Sequence, residues 1–121
     1  MSKPENHKGL KRIVNAFFYS VHGIRACMKT EEAFRQEVFM AALLIPLGLW
    51  LGQSAPEKAI LAGSILLILI AEILNTAIER AIDRISFERH ELSREAKDMG
   101  SAAVLLAILL AVLSWSVILI F

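Results

Sequence analysis

"AEILNTAIERAIDR", residues 71–84, begins as the end of a hydrocarbon-like run and turns acidic with no Gly or Pro to interrupt it. At about 100° per residue, positions 72, 75, 76, 79 and 83 fall within an arc of roughly 100° on a helix, and Ile73, Leu74, Ala77, Ile78, Ala81 and Ile82 cover the rest. One polar stripe therefore runs along an otherwise apolar helix. Upstream, residues 59–71 carry no charge and Pro56 suits a first helical turn, so the helix is expected over about 57–85. At 1.5 Å per residue it is roughly 45 Å long, more than the ~30 Å hydrocarbon core of a bilayer. Glu72 then lies about 20 Å from its start and Glu79 about 10 Å further on. Glu72 is expected inside the membrane near one face, with Glu79 and Asp83 at that face.

The rest of the chain fits such an environment. Of 121 residues, 56% are hydrophobic, yet 21% are charged, and the mean hydropathy is +0.57. This composition predicts a small integral-membrane protein, one unit over residues 1–121. The formal net charge of +1 offers no field for nucleic acid, so the basic residues have to be read locally. A single cysteine, Cys27, has no partner for an internal disulfide or a CxxC zinc site and is expected as a small core residue. Residues 1–35 contain no unbroken apolar stretch of signal-peptide length, so the first hydrophobic segment is expected to be a mature span.

That segment is uncharged from Val38 to Pro56, about 19 residues, with Pro46 inside it and Trp50 near its end. A span is expected over about 36–53, followed by the short turn "GQSAPEK". Residues 84–98, "RISFERHELSREAKD", read as a charged connector, and the charge-free run from Met99 to Phe121 as a last span over about 97–120, with Trp115 toward its end. Near the N-terminus, Leu10, Ile13, Val14, Phe17, Phe18, Val21, Ile24 and Met28 recur at helical spacing among Lys11, Arg12, His22 and Arg25. They predict an amphipathic helix over about 8–28 lying in the membrane surface. The fold class is thus an all-α membrane protein with three transmembrane helices and an N-terminal surface helix.

Lys and Arg sit in the N-terminal part (Lys3, Lys8, Lys11, Arg12, Arg25, Lys29, Arg35) and in the 84–98 connector (Arg84, Arg89, Arg94, Lys97), whereas the short turn has Lys58 alone. The positive-inside rule then makes the N-terminus and the connector cytoplasmic. Every acidic residue except Glu57 falls at or beyond the cytoplasmic face.

A carboxylate facing hydrocarbon costs about 2.5–3.5 kcal/mol on insertion scales, so such groups turn inward and usually serve a function. For Asp83, neutralisation by Arg80 or Arg84 at a helix end is an equally good account; Glu72 lies too deep for it. In "TEEAFRQE", residues 30–37, Thr30 reads as an N-cap with acids in the first turn. Carboxylates there lie at the depth of Glu79, and the two segments could share a divalent ion, which takes hard oxygen ligands. Lys97, in "AKDMGSAA" (96–103), stands either as a snorkelling anchor or as a phosphate contact. The sequence contains no GxxxxGK[ST], GxGxxG, HRD, DFG, HExxH or GxSxG element. A lone three-span protomer shields such a stripe poorly, and Ala102, Ala103 and Ala107 suit close helix approach, which predicts a homo-oligomer.

"EEAFRQE", "EILNTAIERAIDRI" and "HELSREAKDMGSAAVLLAIL", in that order, resemble the signature of the prokaryotic diacylglycerol kinases, small integral-membrane lipid kinases unrelated to soluble kinases. The likeness runs from about Leu10 into the last span. It implies a helical-bundle homotrimer in the bacterial inner membrane that uses magnesium and ATP to convert diacylglycerol to phosphatidic acid; because Glu31 and Glu79 come from different elements, the sites are expected to be shared between protomers. Matched residue by residue, Glu72 takes the general-base position, and Glu31 and Glu79 the metal positions. ATP contacts fall to Arg12, Tyr19, Glu31, Glu79, Glu88, Arg89, His90, Lys97 and Asp98. The lipid side takes Arg12, Ala16, Phe17, Phe18, Tyr19, Ser20, Val21, Arg25, Ala33, Phe34, Arg35, Gln36, Glu37, Trp50, Glu72, Ser101 and Trp115, and Asn75 and Asp83 match further polar positions. One departure is visible: this chain has Val21 and His22 where the best-known member of that family has Trp and Lys. The related undecaprenol kinases share the fold but carry a KDxAAGAV-like motif where this chain reads "KDMGSAAV". A reading of another class, an intramembrane proton or ion pathway, requires polar groups in the outer half of the spans.

Overall fold

A computed structural model describes residues 8–85 and 90–121, and four helices account for nearly all of them: α1 (Leu10–Thr30), α2 (Glu32–Leu51), α3 (Ala55–Ile85) and α4 (Glu91–Leu119). No strand occurs among the described residues. Three of the helices, α2, α3 and α4, are long and apolar enough to cross a membrane.

α3 is the central element and packs against both α2 and α4. The buried core is a thin seam of Ala41, Ile65, Ile68, Ala107 and Ala111, flanked by Leu44, Ile45, Leu69 and Trp115. Small side chains let the helix backbones approach closely, the means by which helices associate where lipid removes the hydrophobic drive. The remaining apolar surface faces outward: Leu105, Leu106, Leu109 and Leu113 of α4 are more than half exposed, as hydrocarbon contact requires.

α2 and α3 form a hairpin whose turn is fixed by its own atoms. A Cβ on Gly52 would come within 2.7 Å of the Lys58 backbone nitrogen, so only glycine fits there. Lys58 Nζ donates to the Leu49 carbonyl at 2.7 Å, capping the end of α2. Ser54 Oγ accepts from the Glu57 N–H at 3.3 Å while Glu57 Oε1 accepts from the Gln53 N–H at 3.1 Å, a close variant of the capping box. Pro46 is accommodated inside α2.

Two boundaries differ from expectation. Thr30 does not cap the first span. It is the last residue of α1, its hydroxyl donating to the Ala26 carbonyl at 3.0 Å, and Glu31 in extended backbone (φ −113°, ψ 109°) is the single residue between α1 and α2. The connector is also shorter than its charge implies. α4 starts at Glu91, because His90 caps it by accepting the Leu92 N–H on Nδ1 at 3.1 Å and Glu91 pairs with Arg94 at 2.6 Å, so most of the polar half of that stretch is helix.

A candidate active site along the polar face of α3

Each turn at the polar end of α3 meets a side chain from a different element. Deepest is Glu72. Counting from the contact between Gly48 and Leu61, eleven residues along each antiparallel helix, about 16 Å, bring Glu37 of α2 opposite Glu72. The two carboxyl groups there lie within hydrogen-bonding reach of each other. The other oxygen of Glu37, Oε2, is buried without a hydrogen-bond partner.

One turn on, Asn75 faces α4. Its Oδ1 is buried and unpartnered, and it lies where a Cβ on residue 100 would stand, so α4 passes only because that residue is Gly100. On the opposite side, the buried Thr76 hydroxyl bonds the Cys27 thiol of α1. Glu79, on the same helix, and Glu31, at the α1–α2 joint, both lie near enough for their charges to reach Glu72. Arg80 turns away from the stripe toward α1, where its Nη2 donates to the Thr30 hydroxyl and lies 3.7 Å from Glu31 Oε2. At the end of the stripe, Lys97 Nζ of α4 donates to Asp83 Oδ1 at 2.7 Å. Among the described residues, no three His, Cys, Asp or Glu side chains converge into a closed metal cage.

Two hollows flank this face. A groove of about 790 Å³ between α3 and α4 is lined by apolar side chains such as Leu67, Leu74, Met99 and Leu106, with Asn75 its polar member. A smaller one, about 410 Å³, separates α1 from α3 beside Cys27, Thr76 and Arg80.

Comparison with known proteins supplies what geometry leaves open. A model of the family described as prokaryotic diacylglycerol kinase matches residues 18–119. The chain belongs to the prokaryotic diacylglycerol kinase family. Proteins named diacylglycerol kinase are similar to it along almost their whole length. The one from Escherichia coli K12 is 48% identical over 94% of this chain and 93% of its own, and that from Pseudomonas aeruginosa 49% over 92% and 90%. The one from Haemophilus influenzae is 44% identical over 93% and 96%.

The positions that match this kinase family fall into separate groups in space. Glu31, Glu37, Glu72, Asn75, Glu79, Asp83 and Lys97 gather at one end of the bundle. Arg12, Phe17, Phe18, Tyr19 and Arg25 are exposed along α1, with Phe17 and Phe18 edge-to-face at 5.8 Å. Ala16 is exposed beside them, Val21 half-buried, and the Ser20 hydroxyl turned back onto the Ala16 carbonyl. Ala33 and Gln36 are exposed, but Phe34 is buried at 2% and packs inside the protomer. Arg35 holds the end of α1, its Nη1 donating to the Met28 and Lys29 carbonyls at 2.7 and 3.2 Å. Asp98 and Ser101 are exposed on α4. Trp50 and Trp115 stand at the opposite end, Trp115 donating its indole N–H to the Leu61 carbonyl at 3.0 Å; thirteen residues, or about 20 Å, separate Trp50 from Glu37 along α2. Glu88 and Arg89 lie outside the described residues; His90 caps α4.

Glu37 beside Glu72, Arg80 beside Glu31 and the Gly100–Asn75 contact were not read from the sequence. The first was accessible, since a hairpin with a located turn fixes its own register. The others need the packing of α1 and α4, which helical periodicity does not determine.

Proposed function

We propose that this chain transfers the terminal phosphoryl group of ATP to the hydroxyl of diacylglycerol, giving phosphatidic acid, at the cytoplasmic face of a bacterial inner membrane. The observation that carries this reading is the near full-length match to the family together with carboxylates from three elements meeting at one end of the spans. The reactants come from opposite sides of that end: ATP from the water, the lipid hydroxyl from the interface.

Glu72 is the general base. It lies about two helical turns deeper than Glu79, on the side from which the lipid comes, and takes the proton of the attacking hydroxyl as that oxygen bonds to phosphorus and the ADP oxygen leaves. Glu31 and Glu79 are the residues that would hold magnesium. An ion that rides on nucleotide phosphates needs one or two carboxylates and takes its other ligands from phosphate and water, so two acids without a closed cage suit it. An ion held there would offset the negative charge on the phosphoryl group. Arg12, Tyr19, His90, Lys97 and Asp98 contact the nucleotide, together with Glu88 and Arg89. The exposed apolar face of α1 lies in the membrane surface on the lipid's side.

The protomer works as one of three. A polar stripe flanked by an apolar groove is only half enclosed by its own chain, and a neighbouring copy covers it and shares the site. The outer half of the seam, from Ile65 to Leu61 with Ala107 and Ala111, carries one buried polar side chain, Ser64, whose hydroxyl is spent on the Leu61 carbonyl at 3.0 Å, and so offers no chain of polar groups for an ion path.

The test is a competition assay in mixed micelles with labelled ATP, diacylglycerol and undecaprenol. Phosphatidic acid is the expected product. Preferential labelling of undecaprenol reassigns the substrate, and ion flux in liposomes with neither lipid labelled rejects the kinase reading. Glu72→Gln is expected to abolish turnover while ATP binding persists, and near-normal turnover removes the base assignment.

A further inference from the structure

Glu31 occupies a weak place in the chain. It is the single extended residue between α1 and α2, and its side chain makes no capping hydrogen bond. Only its backbone is held, its N–H donating to Cys27 at 2.9 Å and its carbonyl accepting from Arg35 at 3.2 Å. α1 itself leans on α3 across an open hollow of about 410 Å³. Something other than helix packing has to set where the Glu31 carboxylate stands relative to Glu79.

We propose that Arg80 is the positioning residue for Glu31: reaching from α3, one residue beyond Glu79, its guanidinium grips Thr30 and Glu31 together and fixes the spacing of the two carboxylates. The inference rests on the reading of Glu31 and Glu79 as the metal-holding pair. Successive residues of a helix point about 100° apart, so Glu79 stays in the polar stripe while Arg80 reaches the α1–α2 joint. The Thr30 hydroxyl has one proton, which goes to the Ala26 carbonyl at 3.0 Å, and this leaves a lone pair to accept from Arg80. A single nitrogen, Nη2, faces both partners, and the planar guanidinium sets its direction more firmly than a lysine ammonium on a flexible stem.

A cation beside Glu31 also competes with a metal for that carboxylate, so the sign has to be argued. The two side chains are 48% and 36% exposed and 3.7 Å apart, and solvent screens such a pair strongly. Orientation is not screened: partners that hold a metal ligand in place typically change metal affinity about 10–100-fold when removed. Positioning outweighs competition, and losing Arg80 weakens the site.

The test uses the full-length protein in detergent micelles, with Mn2+ binding followed by electron paramagnetic resonance in the presence of a non-hydrolysable ATP analogue, and amide exchange followed across residues 26–32. Arg80→Met is expected to weaken Mn2+ binding about tenfold and to speed exchange in that segment, with helicity and the exchange of α4 unchanged. Arg80→Lys is expected to recover part of the Mn2+ affinity, and Arg80→Met added to Glu31→Gln to cause no further loss. Unchanged or tighter Mn2+ binding in Arg80→Met overturns the proposal, as does an equal loss in the Glu31→Gln background. Should Glu31→Gln and Glu79→Gln both bind Mn2+ like the parent, the metal-holding reading fails, and the positioning proposal falls with it. Exchange across 26–32 then tells whether the Arg80 contact itself exists: unchanged exchange in Arg80→Met shows that it does not.

Discussion

Lys97 Nζ and Asp83 Oδ1 are 2.7 Å apart, each side chain about two-fifths exposed, joining α4 to the C-terminal end of α3. This pairing gives Asp83 a role that its place at a helix end did not reveal, and it orients the lysine toward the stripe. Partial exposure limits its worth to about 1 kcal/mol. Asp83→Asn and Lys97→Met are each expected to lower stability by about that amount, and the double variant by less than the total of the two. Strict additivity in detergent unfolding experiments would show that the two charges do not act as a pair.

Gly100 is required by the Asn75 side chain that fills the place of its Cβ. Gly100→Ala forces α4 away from α3 or turns Asn75 out of its buried position. Overpacking of this kind costs about 1–3 kcal/mol. The variant is expected to lose stability in that range and to lose activity more than Ala103→Gly, which only removes a methyl group from the groove wall. Equal thermal midpoints and rates for Gly100→Ala and the parent would contradict the contact.

Burial pushes the Cys27 thiol up from its ordinary value; the Thr76 hydrogen bond opposes this, and the nearby Glu31 charge adds to it. Because the thiolate is the reactive form, a raised pKa leaves less of it at any given pH. Alkylation of Cys27 at pH 8 is expected to be at least about tenfold slower than that of a cysteine introduced at the exposed Glu95 in a Cys27→Ala chain, with the rise in rate displaced to higher pH. Matching pH–rate profiles for the two thiols would sink this expectation.

The proposed sharing of active sites between protomers makes a prediction of its own. Mixing two inactive variants, Glu72→Gln and Lys97→Met, and letting the subunits exchange is expected to restore part of the activity, since some mixed sites receive both intact residues. No recovery under conditions where exchange is demonstrated would confine each site to one protomer.

The sequence by itself determined the class and the span plan. A bilayer accepts only long apolar helices with their backbone bonds satisfied internally, so the uncharged runs before Pro56, before Glu72 and after Asp98 had few other structures open to them. It also determined that Glu72, Asn75, Glu79 and Asp83 share a face, because helical periodicity is a local property. Boundaries set by single hydrogen bonds were less legible: the Thr30 hydroxyl turns back to Ala26 rather than forward, and His90 caps α4 well before the charge ends. Only the tertiary structure decided the partners of the stripe. Glu37 stands against Glu72, Gly100 against Asn75, Arg80 against Glu31 and Lys97 against Asp83 because of the rotation and offset of one helix upon another. Those are fixed by small residues and close approach along the seam of α3, a property of pairs of helices that no single segment encodes.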